Sequence, residues 1–185
     1  MARETTYAQA NAVQKGLRRF AGSPPGAWLF ARAAHRLDRP VFRLTRGRHT
    51  IGNLVTGLPV LMLTTTGARS GLPRTVPVLG IPTADGLAVL ASNFGQQHHP
   101  AWYHNLRADP EATVVVHGET RAVRAVLTEG EQRQRIWEEA LRWYPGWTFY
   151  ERHASHRQIG VFLLKPGHDG GVDATAASPT GAAPE

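Results

Sequence analysis

The strand-like runs of this chain come in pairs joined by turn residues, and helical stretches separate the pairs instead of alternating with single strands. "LPVLMLTTT" (58–66) and "RTVPVLGIP" (74–82) are apolar and rich in β-formers, and Asp85-Gly86 turns the second run into "LAVLAS" (87–92). "ATVVVHG" (112–118) and "ETRAVRAVL" (119–127) form a second hairpin about Gly118-Glu119, with Arg121 and Arg124 alternating against Val123 and Val126. The last apolar run is "IGVFLLKP" (159–166). A doubly wound sheet needs strands and helices in alternation, so this order predicts a mainly β fold with appended helices (α+β), a small and largely antiparallel barrel. Pro77, inside a strand, marks an edge or a bulge there.

Helical composition spans 5–20 and 26–37, interrupted by "GSPPG" (22–26), whose prolines break the chain direction. Pro100 suits the first turn of "PAWYHNLRAD", which stops at Asp109-Pro110. Thr128 with Glu131 three residues on reads as a capping box opening a helix through Trp143. "YPGWTFYERHASHRQ" (144–158) reads as a loop.

At 185 residues the chain suits one domain with its own core. Ten of its 21 Lys and Arg lie in residues 1–50 against only Glu4 and Asp38, a net +8, so the rest of the chain is net −1. The expected organisation is a basic helical segment (1–50), a barrel (51–166) and a disordered tail poor in large apolar residues (167–185). The basic segment, with Trp28, Phe30 and Phe42, suits either solvated amphipathic helices or weak contact with an anionic membrane surface. No cysteine is present, which excludes disulfides, thiolate metal sites and cysteine nucleophiles. No apolar run approaches the roughly 20 residues of a membrane span and the start lacks a secretory apolar segment, so the expected location is cytoplasmic, with the inner face of the membrane as the surface the basic segment would meet. None of the common nucleic-acid motifs occurs.

Three segments carry chemistry. In "TTTGARSGLPRTVPV" (64–78), Gly67 and Gly71 permit tight turns while Arg69, Ser70 and Arg74 offer two forked cations and a hydroxyl to phosphate or carboxylate oxygens. The segment lacks the GxxxxGK[ST] pattern and runs from strand to strand, so it is not a Walker loop, and composition alone suits an exposed hairpin turn equally well. In "ASNFGQQHHPAWYHNL" (91–106), His98, His99 and His104 match no metal-ligand spacing and no acidic residue accompanies them; metal is not expected. Ser92, Asn93 and Gly95 suit a ligand-facing loop braced by Trp102 and Asn105, or a helix simply packing an aromatic on a barrel. Tyr144, Trp147 and Tyr150 recur every three residues and offer faces for a planar ligand, or core packing.

Together, "LTTTGARSGLPRTVPVL", "ASNFGQQHHPAWYHNL", "LRWYPGWTFYE" and "IGVFLLKP" resemble, in order, the deazaflavin-dependent nitroreductase family of actinobacteria over residues 58–166. The resemblance implies a split β-barrel of the FMN-binding type and use of the 8-hydroxy-5-deazaflavin coenzyme F-420. It places Arg69, Ser70 and Arg74, flanked by Gly67, on the coenzyme's phosphate and acidic tail, and Thr75, Val76, Pro77 and Val78 along its ring. Ala91, Ser92 and Asn93 would lie by the reactive face, and His99, Pro100, Ala101, Trp102 and Asn105 would close over the coenzyme. Tyr144, Trp147 and Tyr150 fall at the substrate pocket. Asn93 and Phe94 stand where well-known members have Lys-Gly, and Trp147 replaces a tyrosine.

The implied reaction is hydride transfer from the reduced coenzyme to a small unsaturated, quinone or nitro-bearing acceptor, with Ser92, Tyr144 or Tyr150 as the catalytic candidates that orient the acceptor or relay a proton. The alternatives are an FMN oxidoreductase on the same barrel and a non-catalytic coenzyme-binding or membrane-peripheral protein.

Overall fold

The computed structural model describes residues 6–21, 23 and 57–167. The expected helix at 26–37, the 50/51 boundary and the tail after 167 lie outside them. Strands β1 (Val60–Thr66), β2 (Pro73–Thr83), β3 (Gly86–Leu90), β4 (Glu111–Val116), β5 (Glu119–Leu127) and β6 (Val161–Pro166) close into a barrel ordered β1-β2-β3-β6-β5-β4. Every neighbouring pair is antiparallel. Helix α1 (Ala12–Ala21) precedes the barrel, α2 (Ala101–Ala108) links β3 to β4, and α3 (Gly130–Trp143) and α4 (Trp147–His153) link β5 to β6. The barrel expected from paired hairpins is the fold that forms.

Alternation along the strands divides the apolar residues between two cores. Leu61, Leu63, Val89, Val114 and Phe162 pack with Trp102 and Leu106 of α2. Residues of opposite parity, Ala88, Leu90, Val161 and Leu163, pack instead under Ile136, Trp137 and Ala140 of α3. The run Val161-Phe162-Leu163-Leu164 is therefore buried on both faces, which explains its unbroken apolar character.

Local turns follow from backbone chemistry. Val116 pairs with Glu119 around His117 and Gly118, both at positive φ (53° and 89°), the signature of a two-residue turn matched to strand twist. The turn thus sits one residue earlier than Gly118-Glu119. Thr83 pairs with Gly86, leaving Ala84 and Asp85 as the β2–β3 turn, and Gly86 supplies the positive φ of 126° at the start of β3.

Two expectations are corrected. The capping box does not form: Thr128 is buried, and its N–H (2.9 Å) and hydroxyl (3.0 Å) both donate to the Val161 carbonyl, so Glu129 takes the N-cap position with no side-chain cap bond. The stretch 144–158 is not all loop, because Gly146 starts α4. A Cβ at Gly146 would fall 2.2 Å from the Tyr144 ring, so the glycine that suggested a break is required by close packing.

Helix α1 is fastened to the far end of the chain. The Tyr7 N–H donates to the Arg142 carbonyl (2.9 Å), Arg18 Nη1 to the Trp143 carbonyl (3.2 Å) and the Tyr150 hydroxyl to the Ala21 carbonyl (2.8 Å).

Candidate active site

The β1–β2 turn is built by its glycines and stapled from α2. The Gly67 N–H donates to the Leu72 carbonyl (2.9 Å), and the Ser70 and Gly71 N–H groups donate back to Gly67 (3.1 and 2.8 Å). A Cβ on Gly67 would meet Ser70 Oγ at 2.6 Å and the Leu72 carbonyl oxygen at 3.1 Å, so the turn is crowded there, and Gly71 holds φ +64°, a conformation that favours glycine. Asn105, 7% exposed, accepts from the Ala68 N–H (3.0 Å) and donates to Thr65 Oγ1 (2.9 Å). Asn105 therefore fixes the turn and does not line the cleft. Arg69, Ser70 and Arg74 are exposed on that turn, with Arg74 Nη2 3.5 Å from Ser70 Oγ, and stand outside the cleft lining. Thr75 is tied across the sheet to Thr64, hydroxyl to hydroxyl at 2.8 Å.

Past this turn lies a cleft of about 670 Å³. Val76, Pro77 and Val78 form part of its wall because β2 changes partner along its length. Residues 73–79 pair with β1, whereas β3 pairs only with 80–83, so one side of β2 beside Pro77 has no strand against it among the described residues. That is the edge position a proline tolerates.

A second wall comes from the residues after β3. Ala91 is fully buried, its N–H on the Gly160 carbonyl (2.8 Å), while Ser92 and Asn93 line the cleft. Asn93, Phe94 and Gly95 then take three consecutive positive φ values (47°, 55° and 77°). Left-handed backbone costs roughly 1–2 kcal/mol at each non-glycine residue, so other contacts must hold it. Arg157 supplies most of them: Nη1 donates to the Ala91 carbonyl (3.2 Å), Nη2 to Ser92 (2.9 Å) and Gln96 (3.1 Å), and Nε to Gln96 (3.2 Å). Asn93 Nδ2 donates to the His98 carbonyl (3.0 Å), so Asn93 shapes its own loop. His156 contacts the Gln97 carbonyl.

His99, Pro100, Ala101 and Trp102 continue the lining, although Trp102 also packs into the barrel core. His99 stacks on Tyr103 (centroids 3.8 Å, planes 9° apart), and its Nδ1 lies 3.2 Å from Arg157 Nη1. Burial first, then the positive charge of Arg157 and then His104 hold the imidazole pKa below its usual value. The unfolded chain then takes up this proton more readily than the folded one, so stability contributed here is intact above the unfolded value of 6.5 and falls as pH drops through the folded pKa. The melting temperature of the wild type is expected to decline below that pH by more than that of His99→Phe, a difference read from parallel thermal scans.

Tyr144, Trp147 and Tyr150 line the cleft from beneath but are 3%, 2% and 3% exposed. The Tyr150 hydroxyl donates to Ala21, so it receives from the Tyr144 hydroxyl at 2.9 Å. Burial pushes Tyr150 up to about 12. Burial, reinforced by Tyr150, pushes Tyr144 higher still. Both stay neutral at physiological pH with their protons committed to each other and to α1, and Trp147 lies edge-on to Tyr144 at 5.5 Å.

The structure also adds Arg18, Leu58, Phe94 and Gln96 to the cleft wall and makes Arg157 the hub of its loop. Nothing local in "SHRQ" marks Arg157, whose acceptors lie 61 to 66 residues earlier. No group of three or more His, Asp or Glu side chains suited to a metal occurs among the described residues.

A closed antiparallel barrel whose half-paired strand borders a helix-covered cleft, with a basic turn at its end, is a split-barrel-like fold. The sequence pattern of the F420H(2)-dependent quinone reductase family matches residues 35–166, and the chain belongs to that family. It is 39% identical over 82 residues to the F420H(2)-dependent quinone reductase Rv1261c of Mycobacterium tuberculosis, covering 44% of this chain and 54% of that protein. It is 30% identical over 109 residues, 59% of this chain and 91% of the other, to Rv3178 of the same organism, whose name assigns it provisionally to the same activity. Among solved structures, an F420-H2 dependent reductase (FDR-A) superposes with a TM-score of 0.53 at 35% identity, covering 58% of this chain and 94% of that one. The deazaflavin coenzyme and the reductase class expected from the resemblance are those of the family.

Proposed function

We propose that this chain binds coenzyme F-420 along the half-paired stretch of β2 and reduces a quinone in the adjoining cleft. The observation that carries the reading is a run of surface free of carboxylates among the described residues: the Arg69–Arg74 turn, the open side of Val76–Val78, and a cleft wall to which no described Asp or Glu contributes. These residues fit the group. The exposed guanidiniums and Ser70 suit its phosphate and acidic tail, and the cleft volume is within the range of about 300–1,000 Å³ for organic ligands. When bound, the reduced coenzyme supplies a hydride.

The chain's own part is positioning. Val76–Val78 offer backbone to a planar ring, Ser92 stands at the cleft wall with its carbonyl pinned by Arg157, and the buried Tyr144, Trp147 and Tyr150 form an apolar floor suited to a quinone. With both tyrosine protons committed, the proton that completes reduction comes from water. Titration of the coenzyme's fluorescence is expected to show saturable binding that weakens at least about tenfold when Arg69 and Arg74 are both replaced by alanine, since charge-assisted contacts contribute on the order of 1.5–3 kcal/mol each. Binding unchanged by the double substitution overturns the assignment of the turn, and no loss of reduced-coenzyme absorbance on adding a soluble quinone overturns the activity.

A further inference from the structure

Resting on that reading, we infer that His99 is the side chain that hydrogen-bonds the acceptor's oxygen through Nε2–H, and that Arg157 is the positioning residue that puts the proton on that nitrogen.

The assignment follows from which atoms can donate. A guanidinium has no acceptor, so the 3.2 Å contact between Arg157 Nη1 and His99 Nδ1 has one polarity only: Arg157 donates and Nδ1 accepts. Nδ1 therefore carries no proton, and the neutral ring carries its single proton on Nε2. No hydrogen bond is made by Nε2 among the described residues, and His99 lines the cleft. The ring cannot swing, because it is stacked on Tyr103 at 3.8 Å and Arg157 is itself anchored on three carbonyls.

Three other donors on this wall are engaged within the fold. Asn93 Nδ2 is on His98, Tyr150 on Ala21, and Tyr144 on Tyr150. Gln96, His98 and His104 are exposed, whereas His99 is half-buried, where a hydrogen bond to a developing charge counts for more. The Ser92 hydroxyl, whose proton no neighbour fixes, and the indole N–H groups of Trp102 and Trp147 are also donors on this wall, and none of them is backed by a guanidinium as His99 is.

The chemistry balances simply. A hydride brings two electrons and one proton to the quinone, leaving a hydroquinone monoanion, and water supplies the second proton. His99 keeps its proton and shares it with the oxygen on which charge develops, a donor already in place before transfer. The adjacent guanidinium, bonded to Nδ1, polarises the ring and strengthens that donor.

Three measurements on the full chain test this. Nitrogen NMR of the coenzyme-free protein at neutral pH is expected to show His99 as the Nε2–H tautomer; an Nδ1–H ring overturns the inference. His99→Phe keeps a ring to stack on Tyr103 and removes both nitrogens, whereas His99→Gln restores an N–H. Affinity of the coenzyme-free protein for hydroquinone is expected to fall in the phenylalanine variant and recover in the glutamine variant. With a soluble quinone, kcat is expected to fall about 10- to 100-fold in His99→Phe, in the range of removing one such donor, with partial recovery in His99→Gln. Unchanged kcat, or no recovery with glutamine, overturns the role, as does weakened reduced-coenzyme binding with kcat preserved, which would make His99 a coenzyme ligand. Failure of the wild type to oxidise the coenzyme would sink the proposed reaction instead, and is read separately from the tautomer and hydroquinone measurements.

Discussion

Trp147→Ala is expected to lower the free energy of unfolding by about 3–5 kcal/mol, the usual loss for an aromatic removed from a closed core. Trp147 is 2% exposed and among the largest fully buried side chains, packed with Ile136, Ala140, Tyr144 and Tyr150 between α3, α4 and the outer face of the sheet. Removing it takes away the edge contact with the Tyr144 ring and the support beneath the tyrosine pair that holds Ala21. Urea unfolding followed at two wavelengths measures the change, and Trp147→Phe, which retains a ring, is expected to lose less than half as much. A loss below about 1 kcal/mol accompanied by a raised KM for the acceptor would show instead that the indole serves the substrate and not the core.

Arg157→Ala is expected to act on stability and coenzyme binding together. Four donations to the Ala91, Ser92 and Gln96 carbonyls disappear, and the Ala91 carbonyl belongs to a fully buried residue. Charged donors are worth about 1.5–3 kcal/mol each and do not add within one network, so a net loss of about 3 kcal/mol is expected. Without that hub, the three left-handed residues Asn93–Gly95 lose their main support and the cleft wall rearranges. Coenzyme affinity should then fall at least about tenfold, which corresponds to about 1.4 kcal/mol. Arg157→Lys separates charge from geometry, since an ammonium restores the cation but cannot fork to three carbonyls and an imidazole at once. Thermal unfolding and coenzyme titration of both variants are the measurements, and a lysine variant indistinguishable from wild type would reduce Arg157 to a point charge.

Hairpins were legible because their determinants are adjacent in sequence: alternation along 119–127, a glycine at 118 that marked the turn to within one residue, and a glycine at 86. The basic turn was legible for the same reason, as was the cleft-lining stretch from Ser92 to Trp102. Reasoning from spacing failed where a distant partner outbids a local one. Thr128 has the residue three positions on that a capping box needs, yet it bonds Val161, 33 residues away. Asn105 bonds Ala68 and Thr65, 37 and 40 residues back, so it braces the basic turn through contacts that its local spacing does not announce. The aromatic triplet Tyr144, Trp147 and Tyr150, which spans the end of α3 and the start of α4, does converge as its spacing suggests, and burial shows that all three are also part of the core. Arg157 has no local signature because all of its work is done on backbone carbonyls brought to it by the fold.

The change of partner along β2 has one more consequence. Between Pro73 and Leu79 the described sheet is short by half a strand, and a flat molecule lying against that edge occupies the place where a neighbouring chain segment would otherwise be. On the proposed reading, the coenzyme would complete this edge of the described sheet, so that binding the ligand and finishing the sheet are one event.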